Sequence, residues 1–160
     1  MPTIDDYTSG KVLKNVKLTL YSLKLVKIPV LGQRIGKELL KKIIVSEPKL
    51  IDINTASILI HESKKCAVGE RVCRAINKDS EFSESVFLDE LAEGMTNAGK
   101  ARYVQKEEAI QILKKYPKNP LILAKVSNKY MEICRSYPED CVYYNMHQYK
   151  IKCLNKYNGL

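Results

Sequence analysis

The chain has 160 residues, 45% of them apolar, and 27 Lys and Arg against 18 Asp and Glu leave a net charge of +9. That length fits one domain and buries enough apolar surface to fold without covalent staples, so cysteines are not needed merely to hold it together. The charge favours anionic partners (nucleic acid, acidic proteins or anionic lipid) without choosing among them.

Trp is absent, Phe occurs twice and Tyr ten times, so the expected core is Ile, Leu and Val with Tyr bridging core and surface. No stretch approaches the ~18–20 apolar residues of a membrane span. The most apolar, 12–31, is interrupted by Lys14, Lys17, Lys24 and Lys27. Residues 1–10 are polar and acidic, unlike a secretory leader, and a cytoplasmic location is the expectation.

Residues 1–10 read as a flexible leader, and 11–160 as a single helical, cysteine-containing domain. Val12, Val16, Leu20 and Leu23 recur at helical spacing and predict a helix from Lys11 to Lys27, ended by Pro29. A second helix is expected from Leu31 to Val45, with Ile35, Leu39 and Ile43 inward and Pro48 closing it. Asp52 or Asn54 caps a third, whose inner face carries Ala56, Leu59, Ile60 and Ser63.

Gly69 breaks the pattern after Cys66, Arg71–Ile76 reads as a further helical turn, and 77–85 as a loop. Val86–Glu93 reads as a short amphipathic helix ended by Gly94. The clearest helix is Gln105–Tyr116, with Glu107 and Glu108 in its first turn and Lys114 and Lys115 in its last, matching the macrodipole. Leu121–Val126 and Tyr130–Cys134 read as strands joined by Ser127-Asn128-Lys129. A last helix begins near Pro138 behind a Ser136/Glu139 capping box and carries Cys141, Tyr143, Tyr144 and His147. The expected fold class is therefore mainly α with one small β-hairpin.

The chemistry-grade signal is the cysteine spacing. Cys66/Cys73 and Cys134/Cys141 form two pairs, each with six residues between, and Cys153 stands apart as an extra thiol. Seven residues of α-helix span ~10.5 Å, too far for one metal centre with Zn–S bonds of ~2.3 Å or for a disulfide, whose Cα atoms approach within ~7 Å. Either pair acts together only if its segment turns back, and Gly69 and Pro138 supply the means. Spacing alone leaves three outcomes open: an iron–sulfur cluster or zinc on Cys66, Cys73, Cys134 and Cys141, two disulfides, or unlinked buried thiols. A Lys- and Glu-rich composition of the kind found in hot habitats keeps the disulfides in contention.

Three stretches resemble a family of ferredoxin-like iron–sulfur proteins of archaea and anaerobic bacteria. They are Ser9-Gly10-Lys11-Val12-Leu13-Lys14-Asn15-Val16 with Lys27-Ile28-Pro29-Val30-Leu31-Gly32; Ala56–Lys65 leading to Ala67-Val68-Gly69 and Val72-Cys73-Arg74; and Ala101–Ile110 ahead of Ile133-Cys134. The resemblance thinly covers most of the chain. It implies an iron–sulfur cluster and a role in electron transfer or in a redox complex. Family members carry a close C-x-C before the Arg and end in a cysteine-dense cluster. Here Arg71 and Val72 precede Cys73, and only Cys134 and Cys141 stand at the end. Cys73 and Cys134 map onto family positions; Cys66 and Cys141 do not.

Lys14, Lys17, Lys24, Lys27, Arg34, Lys41 and Lys42 form a basic stretch suited to an acidic redox partner or nucleic-acid phosphates, although Lys at this density is also common on ordinary solvated surfaces. The Tyr-rich tail interleaves with Lys and reads chiefly as core and rim packing. Asp79, Glu81, Glu84, Asp89, Glu90 and Glu93 read as a solvated acidic face, and His61 as a surface residue that could join Cys66 as a mixed ligand. No nucleotide-binding loop or nucleophile–base pair is present, so no catalytic residue is predicted. The alternative function is a non-catalytic, disulfide-stapled basic adaptor binding nucleic acid or a protein complex.

Overall fold

The computed structural model describes residues 1–25, 31–73, 75–76 and 84–159. It corrects the expected fold class: with 45% helix and 22% strand, this is an α/β fold built on a seven-stranded mixed sheet, not a mainly α domain with one hairpin.

The predicted helices largely form. They are α2 (Lys11–Leu25), α3 (Leu31–Ile44), α4 (Ile53–Glu62) and α6 (Lys106–Lys114). Asp52 caps α4 by accepting the Thr55 amide at 2.7 Å. Within the stretch read as a leader, α1 (Ile4–Thr8) is fixed by a reciprocal capping box between Thr3 and Asp6, and Tyr7 is buried. The last helix, α7 (Val142–Gln148), starts behind Cys141 rather than near Pro138.

The corrections concentrate between Cys66 and Glu93. Cys66–Glu70 is β2 and Glu84–Leu88 is β3, while α5 (Asp89–Asn97) starts where the expected helix was half over and runs through Gly94. Both strands are nearly continuous runs of buried residues. A strand covered on both faces shows no alternation in its sequence, and a short apolar run cannot be told from a helix by period. The chain reverses at Asp89, where φ is 50°, and its carboxylate accepts the Lys64 amide at 2.7 Å. The small strands β1 (Lys49–Ile51), β4 (Ala101–Tyr103) and β7 (Asn155–Lys156) complete the set with the expected hairpin, β5 (Leu121–Val126) and β6 (Lys129–Arg135).

The strand order is β4-β2-β3-β6-β5-β1-β7, antiparallel at every step except the final β1–β7 pair. Gly69 permits the close β2–β4 approach: a Cβ there would stand 2.4 Å from the Lys100 carbonyl oxygen.

Register sorts the side chains onto two faces. Cys66 pairs with Leu88, Val68 with Val86, and Val86 with Ile133. These residues pack with Leu121 and Leu123 against α4 and α6, through Ala56, Ile60, Ala109, Ile110 and Leu113. On the other face Ala67, Phe87 and Met131 meet Tyr7 of α1 and Leu91, Ala92 and Met95 of α5. An irregularity opposite Ala124/Lys125 adds a residue to β6, which brings Met131 onto the same face as Glu132. A third cluster joins α2, α3 and α7 through Leu23, Leu39, Ile43, Val142 and Met146.

Candidate thiol centre

The two identical cysteine spacings end in different environments. Cys66 lies with Leu88 on the α4–α6 face, whereas Cys134 pairs with Ser85 beside the Phe87–Glu132 pair and so belongs to the opposite face. Spacing could not reveal this separation, because facing follows strand register.

Cys134 is instead met by Cys73, in the turn after β2, and by Cys141, directly before α7. The three thiols are close enough to oppose one another's ionisation. Burial, followed by the charges of Glu132, Cys141 and Cys73, holds Cys134 well above the usual thiol range. Burial first, and Cys141 second, push Cys73 up to about 12, while Arg71 and the Val142 amide act in the other direction. Cys141 is also raised by burial, opposed first by the Ser136 hydroxyl, then by the amides of Tyr144 and Tyr143 and by Arg71. Cys153, whose Sγ lies 3.5 Å from the Tyr143 carbonyl oxygen, is raised to about 11 by burial and then by Cys141. Cys66 is likewise raised to about 11 by burial, but its charged neighbours are Lys106 and Asp89.

All five cysteines are free thiols. With these upward shifts the thiols are held in the protonated, unreactive form at neutral pH.

Polar groups missed in the sequence surround the thiols. Arg71 is 2% exposed, and its Nη1 donates to the Arg135 carbonyl at 3.5 Å. The Tyr7 hydroxyl donates to Glu132 Oε2 at 2.5 Å. Burial raises the Glu132 carboxyl, opposed by Tyr7 and by the Arg71 charge. Burial, then Glu132, Cys141 and Cys134, place the Tyr143 phenol well above its ordinary range. The available signal was the polar residue pair Glu132 and Cys134 inside a strand of otherwise apolar inward positions, but its meaning required the partner strand.

Fit to an implied iron–sulfur or zinc group is partial. The donor type is right, and three segments distant in sequence supply it. Yet among the described residues no three His, Cys, Asp or Glu side chains are spaced to hold a metal ion. The thiols converge without closing.

The remaining candidates are separate from this centre. Lys14, Lys17, Arg34 and Lys41 are exposed on α2 and α3; Lys24 and Lys42 stand on the same helices, and Lys27 lies outside the described residues. His61 is exposed at the end of α4. Asp79 and Glu81 lie outside the described residues, while Glu84, Glu90 and Glu93 pair with Lys115, Lys129 and Lys65, as a solvated ionic face does. No helix among the described residues is long and apolar enough to cross a membrane. Compared with known proteins, the chain matches no family model, no curated sequence and no solved structure.

Proposed function

We propose that the chain is a cysteine-ligated iron–sulfur protein of a redox complex, with its centre on Cys73, Cys134 and Cys141 rather than on the four cysteines of the two pairs. The supporting observation is the convergence of these thiols, from three segments, beside the buried cation of Arg71. The likeness of the Val72-Cys73-Arg74 and Ile133-Cys134 stretches to ferredoxin-like proteins points the same way.

A bound cluster would supply one-electron chemistry. The chain's own residues exclude water, and Arg71 offsets negative charge gathered on the thiolates. Ligation requires the three thiols to draw closer together, since no such group among the described residues is spaced to hold one ion. Exposed Lys14, Lys17, Arg34 and Lys41 suit docking of an acidic redox partner.

Iron, zinc and sulfide content and the visible spectrum of anaerobically purified protein test this reading. Iron with sulfide and a broad visible band are expected, lost in Cys73→Ser and Cys134→Ser but retained in Cys66→Ser. Protein free of iron, or colour that survives Cys73→Ser, overturns it. Zinc without sulfide would replace the redox role with a structural one. The alternative of a disulfide-stapled adaptor predicts one reactive thiol under denaturing, non-reducing conditions, whereas the free thiols of this structure predict five.

A further inference from the structure

α2 is apolar on two opposite sides. Val12, Val16 and Leu23 pack inward against the rest of the molecule. At 3.6 residues per turn, Leu18, Tyr21 and Leu25 fall within an arc of about 60° on roughly the opposite side of the helix. They are 60%, 68% and 39% exposed. A helix that only covers a core carries polar residues on its outer face. On α2 the outer face holds a second apolar row. The row continues onto α3, because Leu18 and Val45 border the same opening between the two helices and both are exposed. With Ile44, five of the eight exposed large hydrophobic residues among the described residues lie on α2 or at the end of α3, which makes a patch rather than scattered single residues.

The charge around this row is of one sign. α2 and α3 carry eight Lys and Arg and one acid, Glu38, which is paired with Lys41 at 2.8 Å. By the same helical geometry, Lys14 falls inside the arc of the apolar row and Lys17 beside it. Both are exposed, and neither forms an ion pair among the described residues. Lys11, at the other edge, is paired with Asp6 at 3.1 Å. Free cations within and beside an apolar row are the pattern of a helix lying in a membrane interface, with its apolar side chains at the acyl boundary and its lysines reaching back to anionic headgroups.

We propose that the outer face of α2 rests on an anionic lipid surface, with Leu18, Tyr21 and Leu25 at the headgroup–acyl boundary and Lys14 and Lys17 on lipid phosphates. Other occupants fit less of the face. A second copy of the chain brings lysines against lysines. Nucleic acid satisfies the lysines and leaves Leu18 and Leu25 in water. An acidic protein meets both features only if its own surface sets acids around a matching apolar row, whereas an anionic bilayer presents both layers everywhere. The contact runs parallel to the membrane, so it needs no spanning helix. It does not depend on whether the thiol centre carries a cluster.

Because the chain has no Trp, Tyr21→Trp places a single fluorescent reporter in the row. The full-length variant is titrated with vesicles of phosphatidylcholine and phosphatidylserine in equal parts, and with phosphatidylcholine alone, while the wild-type protein is co-sedimented with the same vesicles. A blue shift and co-sedimentation are expected on the mixed vesicles and neither on phosphatidylcholine. Lys14→Gln combined with Lys17→Gln is expected to weaken binding about 30-fold, at about fivefold per lysine near a charged surface. Leu18→Ser combined with Leu25→Ser is expected to weaken it about tenfold or more, as two leucines leave the interface. All four positions are exposed, so the far-ultraviolet circular dichroism of both double variants should match wild type. Absence of binding to the mixed vesicles, an unshifted reporter in bound protein, or binding undiminished in the leucine double variant overturns the proposal. Binding to poly-glutamate with none to the vesicles overturns it as well and assigns the face to an acidic protein partner.

Discussion

The α4–α6 side of the sheet and the α2–α3–α7 layer are built from similar residues but packed to different ends. On the first, Ala56, Ile60, Val86, Ala109, Leu123 and Ile133 are wholly buried. In the second, a cavity remains beside Leu39 and Ile43, and Leu18, Tyr21, Leu25, Ile44 and Val45 face solvent. A two-layer interface with regular strands can close on itself. Three helices around a cavity that Tyr7 and Tyr143 also line leave apolar surface over, and apolar surface left over is where binding is found.

The largest test of this contrast is a pair of truncations. Leu123→Ala should cost about 3–5 kcal/mol by denaturant unfolding, because its neighbours cannot collapse into the space. Leu39→Ala, at the wall of an existing cavity, should cost only about 2 kcal/mol, the low end for such truncations. Equal costs would mean that the helical layer is as tightly packed as the sheet.

Next in size is the pH dependence of Glu132, the buried acceptor of the Tyr7 hydroxyl. Glu132 has a folded pKa raised, through burial, above its unfolded value near 4.5. Its protonated form is therefore favoured in the folded state, and stability falls as pH rises from the unfolded pKa through the folded one. The slope for one group is at most about 1.4 kcal/mol per pH unit. Glu132→Gln should flatten this part of the stability-against-pH curve and stabilise the protein relative to wild type above it. A variant curve parallel to wild type would show that Glu132 ionises normally. The smallest effect is expected on the outer face of α2, where Leu18→Ser should change stability by under about 0.5 kcal/mol, since the side chain is already exposed. A larger loss would place Leu18 in a packed contact.

Legibility in the sequence followed the length scale of each signal. The amphipathic periods of 11–25, 31–44 and 106–114, the Asp52 cap and the 121–135 hairpin are local, and each was readable from neighbouring residues. β2 and β3 were not, because strands buried on both faces lose the alternation that marks a strand. The thiol centre was half legible: Cys73, Cys134 and Cys141 stood out as candidates, whereas Arg71, Glu132, Tyr7 and Tyr143 carried no motif.

By itself, then, the sequence determined the basic surface, the helix periods, the central hairpin and the candidate thiols, all of which depend on residue type and near neighbours. Tertiary structure alone decided that Cys66 and Cys134 occupy opposite faces of one sheet and that Cys73 and Cys141 gather on the side of Cys134. The reason is register. A strand side chain faces the way its pairing dictates, and the pairing of residues 66–70 with 84–88, and of 85–87 with 132–134, is settled by packing across the whole sheet rather than by any spacing along the chain.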